Sequence, residues 1–579
     1  MGKAMTGLRA VGVLAAGALV LSACGGGSSG GGSSAGTSQG QKGGTLTFLT
    51  QAKQILHLDP QRNYTGEDLA FVGGYMQRTL TAFKLSPDDK TASQLVPDLA
   101  TDLGTATNGG KTWSFTLKYG VKFQDGSPIT CADVKYGVSR TFATDIITDG
   151  PTYAISYLDI PKAADGSSVY KGPYVTTGND TAAYDKAVTC SADNKTITFN
   201  LNGPHADFNY TVTLLSFSPV PKAADTGEKY DDNPVSSGPY KIKEYVKGQD
   251  LILVRNDQWS ASNDSYRKAY PDEIDVKFGI AADVVNQRMI ADAPADQTAI
   301  TYGDTVQPAS LAQVFNDPKF ESRRVNGYDP YVRYIAINTV KVPNLKQRQA
   351  ILVAADRAAL LTIAGGSFAG DLADGVVKPN IGQDYAPTGL WDTLLGQKIP
   401  DNGDPAYAKQ LIAQSGAPMP TLTYDYPSTP TNDKVAGALV TSMAAAGITV
   451  KPNPIESGQY YGVVLDPKKE HELVAAGWGP DWPNASTVLP ELFTSSGGFW
   501  LSQNNDPTFN SKVKAALGEL DRSKQAADWQ ELNTYAAQQA WVLPTRFGKQ
   551  QRLHGSKVGG AYLWGPYGSW NYADLYVMK

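Results

Sequence analysis

The chain has 579 residues, 41% hydrophobic and 18% charged, with a formal net charge of −5 at pH 7. That length exceeds one ordinary core, so several domains are expected, with the composition of a soluble globular protein. No long basic run supports nucleic-acid binding. The four histidines, His57, His205, His471 and His554, are widely scattered, so neither a histidine-based metal site nor any other cofactor is expected.

Lys3 and Arg9 precede an apolar run over residues 11–21, too short to span a bilayer and patterned as the core of a signal peptide. The run ends in Leu21-Ser22-Ala23-Cys24, which is similar to the bacterial lipobox; that resemblance makes Cys24 the lipidated first residue of the mature protein. Residues 24–44 are almost wholly Gly, Ser and small polar residues, the composition of a flexible tether. Residues 26–30 satisfy a G-x-S-x-G nucleophile pattern, but no strand or helix signal surrounds them, so the match carries no chemistry.

Alternation predicts a strand over residues 45–50 and a helix over 65–80, with Leu69, Val72 and Met76 on one face. A second strand is predicted over 112–118, with Trp113, Phe115 and Leu117 inward. The stretch Gly109-Gly110-Lys111-Thr112 lacks the first glycine of a phosphate loop, Thr105 standing there, and a strand follows it. Thr130 is placed to cap a helix whose third position is Asp133 and whose inner face carries Val134, Val138 and Phe142.

Within this region, VPDLATDLG and GKTWSFTLKYGVKFQDGSPITCADVKYGVSR resemble the extracellular solute-binding proteins of peptide ABC transporters. SSGPYKIKEY from Ser236, LVRNDQW from Leu253, YIAINT from Tyr334, RQAILVAADRAAL from Arg348 and AAGWGPDWP from Ala475 follow in the family's order. The resemblance runs from about residue 45 to the C-terminus. It implies an α/β, two-lobed periplasmic-binding-protein-like fold with a hinge and an extra domain inserted in the first lobe. The expected division is a signal peptide at 1–23, a tether at 24–44, the first lobe from 45–80, 196–304 and 546–579, the extra domain at 81–195, and the second large lobe at 305–545. Cys131 departs from the alanine usual in the family, and in an oxidising compartment it is expected to pair with Cys190.

The middle of the chain reads as strands over 195–201, 238–246, 250–256 and 273–280. A strand over 421–426, a helix over 432–446 and a strand over 448–451 form a crossover unit, expected to be parallel and right-handed. Leu473-Val474-Ala475-Ala476 then forms an apolar run expected of a strand buried on both faces of a parallel sheet. It breaks into a loop carrying Trp478, Asp481 and Trp482. Ligands of open α/β sheets bind beyond the carboxyl ends of strands, and a carboxylate between indoles suits a cation beside an apolar group. A structural turn with its indoles packed into the core is the competing possibility.

The resemblance implies that Asp481 pairs with a peptide's α-amino group while Trp478 walls a side-chain pocket, and Trp482 is expected to join that wall. Asn484 stands where many relatives carry an acidic residue. The implied function is that of a monomeric, non-enzymatic importer component. Its partners are a short peptide or similar small solute, ABC permease subunits and the outer face of the bacterial cytoplasmic membrane, reached through the lipid anchor. Other ligands of the same fold are oligosaccharides, nickel complexes and haem, and a peptide-signal receptor would use the same site. A cell-surface hydrolase would need a nucleophile–base pair or metal set that no motif here supplies.

Overall fold

The computed structural model describes residues 40–579; the signal segment, Cys24 and the tether up to residue 39 lie outside the described residues. Two sheets organise the rest. The first contains β1 (Thr45–Leu49), β2 (Tyr240–Val246), β3 (Asp250–Arg255), β4 (Glu273–Lys277) and β5 (Ala299–Thr301), in the order β5-β1-β4-β3-β2. Strand β1 runs parallel to β4 and β5, and β4, β3 and β2 are antiparallel. Alternation in β1 turns Leu46 and Phe48 inward. The Phe48 ring meets Phe71, Tyr75, Tyr302 and Tyr572 at centroid distances of 5.5–6.4 Å. Trp570, Tyr572 and Leu575, from the end of the chain, belong to this same core.

Helix α1 (Gly66–Tyr75) supplies Phe71 and Tyr75 and stops five residues short of the expected end. The Met76 carbonyl accepts from the N–H groups of Ser237 and Gly238 instead of continuing the helix. The next residues are drawn into a short strand, Thr81–Phe83. Tertiary hydrogen bonds outweigh the helical pattern here.

A four-stranded antiparallel sheet adds Thr105–Thr107, Thr112–Thr116, Thr196–Asn200 and Val188–Cys190, in that spatial order. Helix α2 (Cys131–Arg140) packs against it, and the Asp133 carboxylate accepts from the Thr130 N–H and hydroxyl at its start. A disulfide joins Cys131 at this helix's first turn to Cys190. Trp113, Phe115, Val134, Val138 and Phe142 are buried in a core continuous with that of the first sheet.

The second sheet has six strands: β6 (Arg324–Ile337), β7 (Gly370–Leu372), β8 (Leu422–Pro427), β9 (Val450–Ile455), β10 (Leu473–Trp478) and β11 (Val542–Leu553). Their order is β7-β11-β6-β10-β8-β9. Helix α3 (Pro430–Ala445) carries the crossover from β8 to β9, which are parallel. Thr429 caps it by accepting from the Asn432 N–H. Strand β10 is parallel to β8 but antiparallel to β6, so the sheet is mixed. Its burial also differs from expectation. Leu473 and Val474 are enclosed, whereas Ala475 through Trp478 are only half-buried, because a cavity opens above them.

Strands β6 and β11 form a long antiparallel ribbon from Arg324 opposite Leu553 to Ala336 opposite Val542. One end joins the first sheet's surroundings, where His554 bridges to Ile300; the other lies at the centre of the second sheet. The register breaks between Tyr328 and Val332. There the buried Lys378 ammonium donates to the carbonyls of Asp329, Tyr331 and Gly548, at 2.6, 3.0 and 2.9 Å. One cation thus satisfies backbone acceptors that the broken ladder leaves open.

Candidate ligand-binding site

Strand β10 ends at Trp478, and the loop beyond it crosses to the first sheet's side of the molecule. Two glycines make that path possible. A Cβ on Gly477 would stand 3.1 Å from the Arg333 side chain, and one on Gly479 would stand 3.1 Å from the Tyr331 ring. Above the strand lies a cavity of about 670 Å³, within the usual range for small-molecule sites. Tyr424, Tyr460, Tyr461, Trp478 and Phe499 supply ring walls, and Ala475, Ala476 and Gly477 leave space at its base.

Trp478 is held as a wall. Its indole N–H donates to the Thr487 carbonyl at 2.7 Å, and its ring lies 4.8 Å from that of Phe499. Tyr461 extends the same surface, 5.4 Å from Phe499. Asp481 stands at the cavity's edge. One carboxylate oxygen accepts from the Tyr64 hydroxyl at 2.9 Å and the other from the Tyr153 hydroxyl. Neither donor is charged, and Asp481 forms no ion pair among the described residues. Burial pushes its carboxyl up to about 6; the two phenolic hydrogen bonds oppose that rise, and the Glu491 charge adds to it.

Trp482 does not wall the cavity. It is fully buried within the core of the first sheet, 4.7 Å from the Tyr153 ring, with its N–H donating to Asp207 at 2.9 Å. An enclosed indole N–H needs an acceptor, and Asp207 provides one across the gap. Ser486 donates to the same carboxylate, and the Ala206 N–H bonds the Leu517 carbonyl at 2.9 Å. The loop therefore does two jobs: Trp478 and Asp481 face the cavity, while Trp482 ties the two parts of the molecule together. Asn484 is buried, accepting from the Ser486 N–H and donating to Gln525. It shapes the loop and does not face the cavity.

Four further polar lining residues escaped the sequence pattern: Tyr64, Tyr331, Arg333 and Arg546. Arg333 and Arg546 lie directly opposite each other on β6 and β11. The available signal was a lone charge inside an otherwise apolar strand, in YVRYIAI and LPTRF.

A family model, that of the bacterial extracellular solute-binding proteins, family 5, matches residues 94–500. The chain belongs to this family. It is 24% identical over 497 residues to the probable D,D-dipeptide-binding periplasmic protein DdpA of Escherichia coli K12, covering 82% of this chain and 83% of that one. Identity is 25% over 493 residues to the periplasmic oligopeptide-binding protein OppA of Salmonella typhimurium, covering 81% and 82%. Among solved structures, the clavulanic acid biosynthesis oligopeptide binding protein 2 superposes with a TM-score of 0.82 at 27% identity, over 93% of this chain and 96% of that one. The two sheets and the ribbon between them are the two-lobed fold of this family.

The raised Asp481 pKa has a definite sign for stability. A carboxyl moved up from 3.8 to about 6 favours folding in its neutral form; that contribution is complete below 3.8 and is lost as pH rises through 6. Asp481→Asn cannot ionise, so its melting temperature relative to wild type should increase between pH 4 and pH 8. Calorimetry of the ligand-free proteins measures this, and a flat or falling difference would contradict the burial of the charge.

Proposed function

We propose that this chain is the substrate-binding component of an ABC importer, capturing short peptides between its two lobes and delivering them to a permease. The observation that carries the proposal is Asp481: a half-buried carboxylate beside an aromatic cavity, supported only by neutral phenols. A peptide's ammonium is the partner such a charge lacks. Flat rings accept varied side chains with little demand on shape, so Trp478, Phe499 and Tyr461 suit a general peptide pocket. The family, and relatives named as dipeptide- and oligopeptide-binding proteins, support peptide as the solute class and binding without turnover. Trp482 enters this proposal as a closing contact, not as pocket wall.

The proposed anatomy has the first lobe from residues 45–80, 196–304 and 546–579, the extra domain from 81–195, and the second lobe from 305–545. Closure brings both lobes onto the ligand, so binding favours the closed form. Cys24, with the short apolar segment before it, supports tethering by lipid to the outer face of the cytoplasmic membrane, where the chain acts as a monomer in this proposal. Cys24→Ala should abolish the acyl mass on the mature chain and release the protein from membranes; a variant that stays acylated would rule Cys24 out.

Removing one member of a buried charge pair costs about 2–5 kcal/mol, because the other is left unpaired. Asp481→Asn should therefore weaken binding of a free peptide at least tenfold. An N-acetylated peptide should bind wild type poorly and lose far less on mutation. Titration calorimetry of the four combinations decides this, and equal losses for both peptides would reduce Asp481 to a loop-shaping residue.

A further inference from the structure

A group of residues outside the cavity joins the same two parts of the chain that meet around it. Asp207 is 3% exposed, and among the described residues no ion pair reaches its carboxylate. The donors that serve it both come from the loop beyond β10: the Trp482 indole N–H at 2.9 Å and the Ser486 hydroxyl. A buried charge held by neutral donors alone depends on both of them. Trp482 is wholly enclosed in the core of the first sheet, so parting this seam would strip the indole of its cover. Beside it, the Ala206 N–H donates to the Leu517 carbonyl at 2.9 Å, and the Arg522 guanidinium lies 5.8 Å from the Tyr210 ring.

Both sides of the seam are braced from behind. The Asp207 carbonyl accepts from the N–H groups of Tyr210 and Thr211, at 2.8 and 3.3 Å. In the loop, Asn484 donates to Gln525 at 2.9 Å, and the Ala485 N–H donates to Asp384 at 2.7 Å. Asp384 also pairs with Arg522. Each half is preorganised, so their meeting costs little further ordering. None of Asp207, Trp482, Ser486, Ala206 and Leu517 lines the cavity. That separates the seam from the bonds of Tyr64 and Tyr153 to Asp481, which a ligand's ammonium would displace. A ligand in the cavity neither makes nor breaks the Asp207 contacts, so they favour closure equally with and without it.

We propose that Asp207, with Trp482 and Ser486, is a ligand-independent clasp that keeps the chain predominantly closed at rest, so that entry and exit of the ligand both wait for the clasp to part. The inference rests on the lobe closure proposed above and not on the identity of the solute. Enclosing an indole together with two bonds to a charge favours the closed form. A contribution that is equal with and without ligand cancels in the affinity of a chain already mostly closed, and remains in both rates. The three are positioning residues, which touch no ligand yet set how fast it exchanges.

Hydrogen exchange of the full-length protein tests the clasp without any ligand. The Ala206 amide is bonded across the seam and is freed when the seam parts. It should be protected in wild type and exchange about tenfold faster in Ser486→Ala, which loses a bond to a charged group. Asp207→Ala should exchange faster still, and adding Ser486→Ala to it should change little, because both delete the same bond. Stopped-flow fluorescence with a free tripeptide then reads the gate. Association and dissociation should both accelerate about tenfold in Ser486→Ala, while Kd stays within about twofold of wild type. An Ala206 amide as fast in wild type as in the variants would overturn the clasp, and so would a raised Kd with association unchanged. Binding of no tripeptide by wild type would overturn the peptide proposal, and the exchange rates would still decide the clasp.

Discussion

An ionised carboxylate at the edge of a ring-lined cavity, with only neutral hydroxyls to bond it, sets the terms for the rest of this molecule. The Asp481 charge is costly without a cation, and Tyr64 and Tyr153 offset only part of that cost. Those phenols come from residues far earlier in the chain than the strand that presents Asp481. The contact that eases the charge therefore also draws the two lobes together. Trp482 and Ser486, meeting on Asp207, repeat the arrangement a few residues on. The carboxylate at the cavity's edge and these bonds to distant parts of the chain share one loop.

The β6/β11 ribbon runs from the surroundings of the first sheet to the centre of the second. Its ladder is interrupted beside Pro330, and Lys378 gathers the carbonyls exposed there. A ladder broken at one place bends there more easily than elsewhere, while the ammonium keeps the opened backbone groups satisfied. The same ribbon brings Arg333 and Arg546 face to face just beyond the break. The break in the ladder and the two guanidiniums are consecutive features of one pair of strands.

Local signals in the sequence carried much of this architecture. Alternation in 112–118 and the crossover around α3 are periodic and self-contained, and both appear within a few residues of their expected limits. The loop carrying Trp478 and Asp481 was legible as a strand's end because a run of small apolar residues breaks there into Gly-Trp-Gly-Pro. Trp482 misled because an indole next to a cavity and an indole anchored across a cleft look identical in one dimension. The end of α1 depended on donors at Ser237 and Gly238, some 160 residues away, which no local pattern contains. The same distance hid the site's other half. Tyr64, Tyr153, Arg333 and Arg546 become neighbours of the loop only after two sheets have formed and folded against each other.

The account turns on what the closed cavity holds. Protein purified after growth in rich medium, stripped of small molecules only by denaturation, should release intact short peptides with unblocked amino ends, visible by mass spectrometry at near-stoichiometric amounts. A neutral sugar, a metal complex or haem in their place would contradict it, and so would peptides recovered only as cleavage products.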